Sequence, residues 1–183
     1  QRLKRHEQAA QAELDAAHPD ARGAQVALAA VRVRDGAVVA LVGGRDYAAS
    51  QFNRAVYAHR QIGSTVKPLT ALAALDADPN LSGATLLVDE PIVRTSDGKQ
   101  WEPRNYDGRF LGEVTLRQTL ATSRNIPSVL LAEQVGLSRL KRGWKALGLS
   151  RATDNPAASL GSFEATPLAV SYTHLRAHET TEH

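Results

Sequence analysis

The stretch that most limits what this chain can fold into is residues 25–42, QVALAAVRVRDGAVVALV. Its last part alternates, with Val31 and Val33 on one side and Arg32 and Arg34 on the other, the period of a half-buried strand. Asp35-Gly36 follows, then AVVALV up to Gly43-Gly44. Two such runs flanking Asp-Gly predict a β-hairpin with a two-residue turn. A lone hairpin is marginal in water, so its apolar face needs other elements to cover it.

Those elements read mostly as helices. From Ser64 the apolar residues Val66, Leu69, Leu72 and Leu75 are spaced by three, with Ala between them, until Asp78-Pro79-Asn80 stops the run. Residues 80–112 hold Pro91, Asp97-Gly98, Pro103 and Asp107-Gly108, and predict a long irregular stretch of the kind that carries function. Three helical segments follow: 115–123, then 127–135 opening on Pro127, then 138–147 opening on a capping Ser138. Hairpin first and helices after predict an α+β domain, with helices on an antiparallel sheet whose remaining strands are expected downstream.

Composition narrows the function classes. The 183 residues contain no Cys, which excludes disulfide frameworks, Cys-ligated metals and thiol nucleophiles. The net charge is +3 and the basic residues are scattered, with aromatics at 5%, so a nucleic-acid surface is not expected. No stretch approaches the ~20 apolar residues of a membrane span. The chain has no Met and starts on Gln1, so it is expected to be an internal piece of a longer protein. Residues 1–22, polar and rich in helix formers up to His18-Pro19-Asp20, are expected to be a connector from an upstream region.

One spacing points to chemistry. Ser64-Thr65-Val66-Lys67 opens the apolar helix, and residues three apart share a helix face. A lysine amine that loses proton affinity on burial can take the proton of that hydroxyl. The helix start adds a positive field for a developing oxyanion, and Gly63 allows a tight entry. The same spacing recurs at Ser96/Lys99, across the Asp97-Gly98 turn, and at Ser138/Lys141, where Ser138 reads as a cap and Lys141 as exposed. By itself, the spacing favours the ordinary reading of Ser64 as an N-cap over a catalytic one. A second cluster, Ser123-Arg124-Asn125, lies between two predicted helices. Its hydroxyl could relay a proton and its amide could hold a carbonyl, or the three residues could simply end one helix. The histidines are poor metal candidates: His6, His18 and His59 stand alone, and His174/His178 at i, i+4 lack an apolar helix face.

The text around these motifs resembles the transpeptidase domain of penicillin-binding proteins. GSTVKP (63–68), SRN (123–125), WEPRNYDGRFLGEVTLRQTLATSRNIPSV and LGSFEATPLAV are similar to class A, bifunctional members, nearest the 1b type. The resemblance covers residues 23–171, read as the N-terminal part of the domain, and implies the penicillin-binding-protein/serine β-lactamase fold. It implies Ser64 as nucleophile, Lys67 as its base, Ser123 as proton relay and Asn125 as the residue orienting substrate and Lys67. It implies D-Ala-D-Ala stem peptides of peptidoglycan as donors, a stem-peptide amine as acceptor, β-lactams as inhibitors, and no metal or organic cofactor. It also implies an upstream glycosyltransferase, a membrane anchor, cell-wall synthesis partners and a place on the periplasmic side of the inner membrane.

Two departures stand out. No Lys-Thr-Gly occurs in the sequence, although the family places one on a strand lining the cleft. The segment by itself is therefore expected to be inactive. Residues 172–183 leave the family pattern, resemble translated adapter read-through and are expected to be non-native. Two alternatives stay open. One is a β-lactamase-like or carboxypeptidase hydrolase, with Glu133 or Glu164 as deacylating base. The other is a non-catalytic scaffold that kept the fold.

Overall fold

The computed structural model describes residues 24–96 and 98–179, with isolated positions 5, 8, 9, 12, 13 and 16. The predicted connector 1–22 lies almost wholly outside the described residues, as do 180–183 of the tail. In chain order the elements are β1 (Leu28–Val31), β2 (Val38–Val42), α1 (Arg54–Tyr57), β3 (Arg60–Gln61), a 3-10 turn (Gly63–Val66), α2 (Lys67–Ala77), β4 (Leu86–Asp89), β5 (Arg94–Ser96), β6 (Lys99–Trp101), β7 (Gly112–Thr115), α3 (Leu116–Ala121), α4 (Asn125–Val135), α5 (Leu137–Ala146), a second 3-10 turn (Pro156–Leu160), β8 (Glu164–Ala165) and α6 (Pro167–Glu179). They form two units, residues 1–60 with 165–183, and residues 61–164.

In the first unit β1 and β2 pair antiparallel, Leu28 opposite Val42 and Ala30 opposite Ala40. The predicted hairpin is there, but its turn is not the two-residue type. The Arg32 amide donates to the Ala37 carbonyl and the Gly36 amide to the Arg32 carbonyl, so four residues, 33–36, make the turn. A two-residue Asp-Gly turn of type I′ needs positive φ at both positions, and Gly36 has it at 69° while Asp35 does not. Asp35 instead accepts from the Ala37 amide and pairs with Arg32, which the wider loop allows. Helix α6 packs against β1, and its Thr173 and Leu175 are buried.

The second unit holds the candidate chemistry. Residues 80–112 are more ordered than their turn signals suggest. β4 pairs antiparallel with β7, from Leu86 opposite Thr115 to Asp89 opposite Gly112. β5 and β6 pair antiparallel, with Ser96 opposite Lys99. Along β4, Leu86 and Val88 are exposed, Leu87 is half-buried and Asp89 is fully buried. The period of two therefore turns a carboxylate inward on the same face as Leu87. Leu87 packs with Leu81 and Val135 against a core of Ala71 and Ala74 from α2, Leu116 from α3 and Leu131 from α4.

Two helix starts differ from the pattern-based expectation. α4 begins at Asn125, and Pro127 sits inside its first turn, where a missing N–H breaks no helical bond. α5 begins at Leu137, capped by Gly136 and not by Ser138. Gly136, at φ 92°, ends α4 through its amide to Ala132 and starts α5 through its carbonyl, which accepts from Leu140. One residue makes the corner, so Ser138 falls within the new helix.

The backbone that delivers Ser64 is laid against a neighbouring segment. The Ile62 amide donates to the Phe163 carbonyl at 3.2 Å and the Gly63 amide to the Gly161 carbonyl at 3.1 Å. Gly161 has φ 78°, and a Cβ there would collide with the Gly63 backbone. That close approach fixes where the first 3-10 turn, and with it Ser64, begins.

Candidate active site

Ser64 lies in the 3-10 turn that precedes α2, exposed at its surface. Lys67, three residues on, is the first residue of α2 and is 3% exposed. The apolar stripe of α2 buries Leu69, Ala71 and Ala74 and carries the lysine inward with it. The Lys67 Nζ donates to the Ser123 carbonyl at 2.6 Å, the Ser123 Oγ at 3.0 Å and the Asn125 Oδ1 at 2.6 Å. Burial, reinforced by the nearby Arg124 charge, lowers its pKa to about 8.

The convergence depends on an unusual backbone at Ser123. Helix α3 starts on its Thr115 cap, whose hydroxyl accepts from the Gln118 amide. It ends with the Ser123 amide bonded to the Leu120 carbonyl and the Arg124 amide to the Thr119 carbonyl, the two-bond closure usual where a glycine follows a helix. Here the left-handed residue is Ser123, φ 54°, the one non-glycine with positive φ among the described residues. The conformation costs about 1–2 kcal/mol. It turns both the carbonyl and the hydroxyl of Ser123 onto the lysine amine.

Asn125 is held from the other side. Its Nδ2 donates to the Arg104 carbonyl at 2.7 Å, which leaves Oδ1 facing Lys67. Its amide donates to the Asn105 Oδ1 at 2.8 Å. Between Ser123 and Asn125, Arg124 points inward. Its guanidinium meets the Asp89 carboxylate at 2.8 Å, the Asp107 carboxylate at 2.8 Å and the Arg109 carbonyl. Asp89 also accepts from Asn105 Nδ2 and the Leu111 amide, so both oxygens of this buried acid are bonded. Asp89, Asn105 and Asp107 were not legible as site residues. The parity of Leu87 and Asp89 in β4 was the one available signal for the first of them.

Above this network is a cavity of about 530 Å³, lined by Ser64, Asn105, Tyr106, Leu111, Ser123 and Asn125 among others. Ser64 thus faces the cavity with Lys67 buried behind its wall. The hydrogen bonds of the lysine amine run to Ser123 and Asn125, and Ser64 stands one helical turn before it, a set of groups suited to proton transfer from a hydroxyl.

A family model described as penicillin binding protein transpeptidase domain matches residues 26–167. The chain belongs to the penicillin-binding protein transpeptidase family. It is 40% identical over 150 residues to penicillin-binding protein 1B of Vibrio cholerae, covering 80% of this chain and 19% of that protein. It is also 40% identical over 158 residues to penicillin-binding protein 1A of Aquifex aeolicus, covering 84% of this chain and 21% of that one. The crystal structure of penicillin-binding protein 1A from Haemophilus influenzae superposes with a TM-score of 0.78 at 31% identity, over 82% of this chain and 23% of that one. The chain thus spans about a fifth of the length of the curated relatives it matches. Its relatives are class A members, and its fold is the α+β fold of the family.

Within that fold the other Ser-x-x-Lys copies have ordinary places. Ser96 and Lys99 stand opposite each other on β5 and β6. Ser138 is in the first turn of α5, and Lys141, half-buried rather than exposed as its sequence position suggested, pairs with Asp154 at 3.3 Å. The acids considered as deacylating bases are engaged elsewhere: Glu133 with Arg94 at 2.7 Å and Glu164 with Arg151 at 3.2 Å. Neither lines the cavity. His174 Nδ1 lies 2.9 Å from the Val170 carbonyl of its own helix.

Proposed function

We propose that this chain carries the acylation half of a D,D-transpeptidase that cross-links peptidoglycan stem peptides, within a bifunctional cell-wall synthase. The observation that carries the reading is the desolvated Lys67 amine, shared by Ser123 and Asn125, beneath a cavity lined by Ser64. In the neutral amine one lone pair is open to accept. Lys67 takes the Ser64 proton, and Ser64 Oγ attacks the carbonyl of the penultimate D-Ala, or the lactam carbonyl of a β-lactam. The C–N bond breaks as the leaving amine receives a proton passed from Lys67 through the Ser123 hydroxyl. The terminal D-Ala departs, leaving an ester on Ser64. A stem-peptide amine then attacks that ester and loses its proton along the same path, and the cross-link forms as Ser64 is restored. Asn125 holds the donor amide and keeps Lys67 in place.

The reading extends to a membrane-anchored parent on the periplasmic side of the inner membrane, acting with other cell-wall synthesis proteins. Among the described residues no helix is long and apolar enough to cross a membrane. No metal or organic cofactor has a step in this chemistry.

Labelled penicillin tests it. A longer protein carrying this chain together with a Lys-Thr-Gly strand should be labelled at Ser64, and Ser64→Ala should abolish the label. A persistent adduct supports a transferase. Rapid turnover of the adduct would favour a hydrolase, and absence of label in the longer protein would favour a scaffold. Residues 1–183 alone should remain unlabelled, because the third motif contributes an oxyanion-hole amide worth about 3–4 kcal/mol in comparable sites. Specific labelling of 1–183 that Ser64→Ala removes would refute that expectation.

Ser123→Gly separates strain from chemistry. Glycine takes φ 54° freely, so the urea midpoint should rise, corresponding to about 1 kcal/mol of added stability. Loss of the hydroxyl should slow Ser64 acylation by ~10²-fold. Ser123→Ala should slow it equally without the gain in stability.

A further inference from the structure

The strongest feature outside the four sequence-predicted residues is the 102–111 loop, which wraps Arg124. Asn105, 4% exposed, uses its whole amide there: Oδ1 accepts from the Asn125 amide, and Nδ2 donates to Asp89 and to the Arg109 carbonyl. Arg124 is the N-cap residue of α4 but makes no side-chain cap. Asn105 supplies that cap from a distant part of the chain. The loop is thereby fixed on the helix that bears Asn125.

Asp107 rides on this anchored loop. One carboxylate oxygen accepts from the Arg109 amide at 3.0 Å, and the other meets Arg124 at 2.8 Å. It also lines the cavity, with a side chain 47% exposed. Arg124 is 5% exposed in its side chain and sits between the two residues that hold Lys67. Its charge is therefore balanced by one buried acid, Asp89, and one acid at the cavity wall. Charged groups occur on the other elements around α2: Arg117 on α3, Glu133 on α4, and Arg139, Lys141, Arg142 and Lys145 on α5. Burial lowers the proton affinity of Lys67, and the charge of Arg124 lowers it further.

We propose that Asp107 is a positioning residue for the Lys67 amine: docked by the Asn105-anchored loop, its carboxylate fixes and balances Arg124 between Ser123 and Asn125. Without that negative charge, Arg124 opposes a second cation beside it more strongly. The charged form of Lys67 then becomes less favourable. The proposal rests on Lys67 being the base of the proposed acylation. Its test reads the amine itself, so it can succeed or fail whether or not Ser64 is ever acylated.

The experiment is an NMR titration of the ¹³Cε resonances of lysine-labelled chain, assigned through Lys67→Arg. Asp107→Asn should lower the Lys67 midpoint by about half a pH unit. Asp107→Glu should return it to the wild-type value. Asp154→Asn, which removes a carboxylate from the Lys141 pair, should leave it unmoved. An Asp107→Asn midpoint equal to wild type, or shifted no more than in Asp154→Asn, overturns the proposal. So does loss of the folded spectrum in both Asp107 variants, which would make the residue a structural anchor alone.

Discussion

Lys67→Arg is expected to slow acylation of Ser64 by labelled penicillin by about 10²–10⁴-fold in the longer protein while leaving it folded. A guanidinium keeps the positive charge and the donors but cannot give up its proton. In the wild type the acylation rate should rise with pH and level off above about 8, where Lys67 becomes a neutral amine. The variant should show no rise through that range. A wild-type rate in Lys67→Arg, or a wild-type profile with its midpoint near 10, would remove Lys67 from the role of base. The same lowered pKa bears on stability. The native lysine binds its proton only below about 8, the unfolded one below its ordinary 10.5. Between these values the unfolded chain holds more protons, so stability rises with pH through that window. Carrying the buried charge at neutral pH costs the native state of the order of 3 kcal/mol. Urea melts of 1–183 across this range would show it.

Arg124→Met is expected to destabilise the chain by about 3–5 kcal/mol. Methionine matches much of the arginine volume, so little of that loss comes from packing. It comes from Asp89, 0% exposed, left without its cation. Native domains have only about 5–15 kcal/mol in hand, so the urea midpoint should fall by a large fraction of its value. A change below about 1 kcal/mol would mean that the Asp89–Arg124 pair contributes little beyond its own desolvation cost. Ser123 and Asn125 flank this arginine, so the same substitution should also loosen Lys67. That places fold stability and the candidate chemistry on one side chain.

Much of the scaffold could be read from local pattern. Val66, Leu69, Leu72 and Leu75 marked α2, and its stop at Asp78 is where the helix is capped. The hairpin of β1 and β2 followed from alternation, although the turn depended on whether Asp35 could take positive φ, which periodicity does not reveal. The strands β4 to β7 were missed because each is only three or four residues long, bounded by Pro and Gly, and paired across gaps that a local window does not span. The start of α5 was misplaced because Ser138 satisfies a cap preference, while a single glycine at 136 turned the corner instead.

The four candidate residues were legible as two motifs, each with an ordinary alternative. Local spacing set Ser64 and Lys67 one helical turn apart, because the geometry of a helix start is a property of the residues within it. No local rule connects Lys67 to Ser123 and Asn125, which are 56 and 58 positions away. That depended on α2 and α4 packing through Ala71, Ala74 and Leu131, small and branched side chains that let the two helices approach. The same holds for the network behind them. Asp89, Asn105 and Asp107 look like a strand end and turn residues until tertiary structure buries Arg124 among them. A buried cation has to find its partners wherever the fold brings them. The sequence by itself thus determined the fold class and which helix turn carries the reactive pair. Tertiary packing alone decided that the lysine would be desolvated, shared between Ser123 and Asn125, and steadied by a loop whose residues carry no catalytic signature of their own.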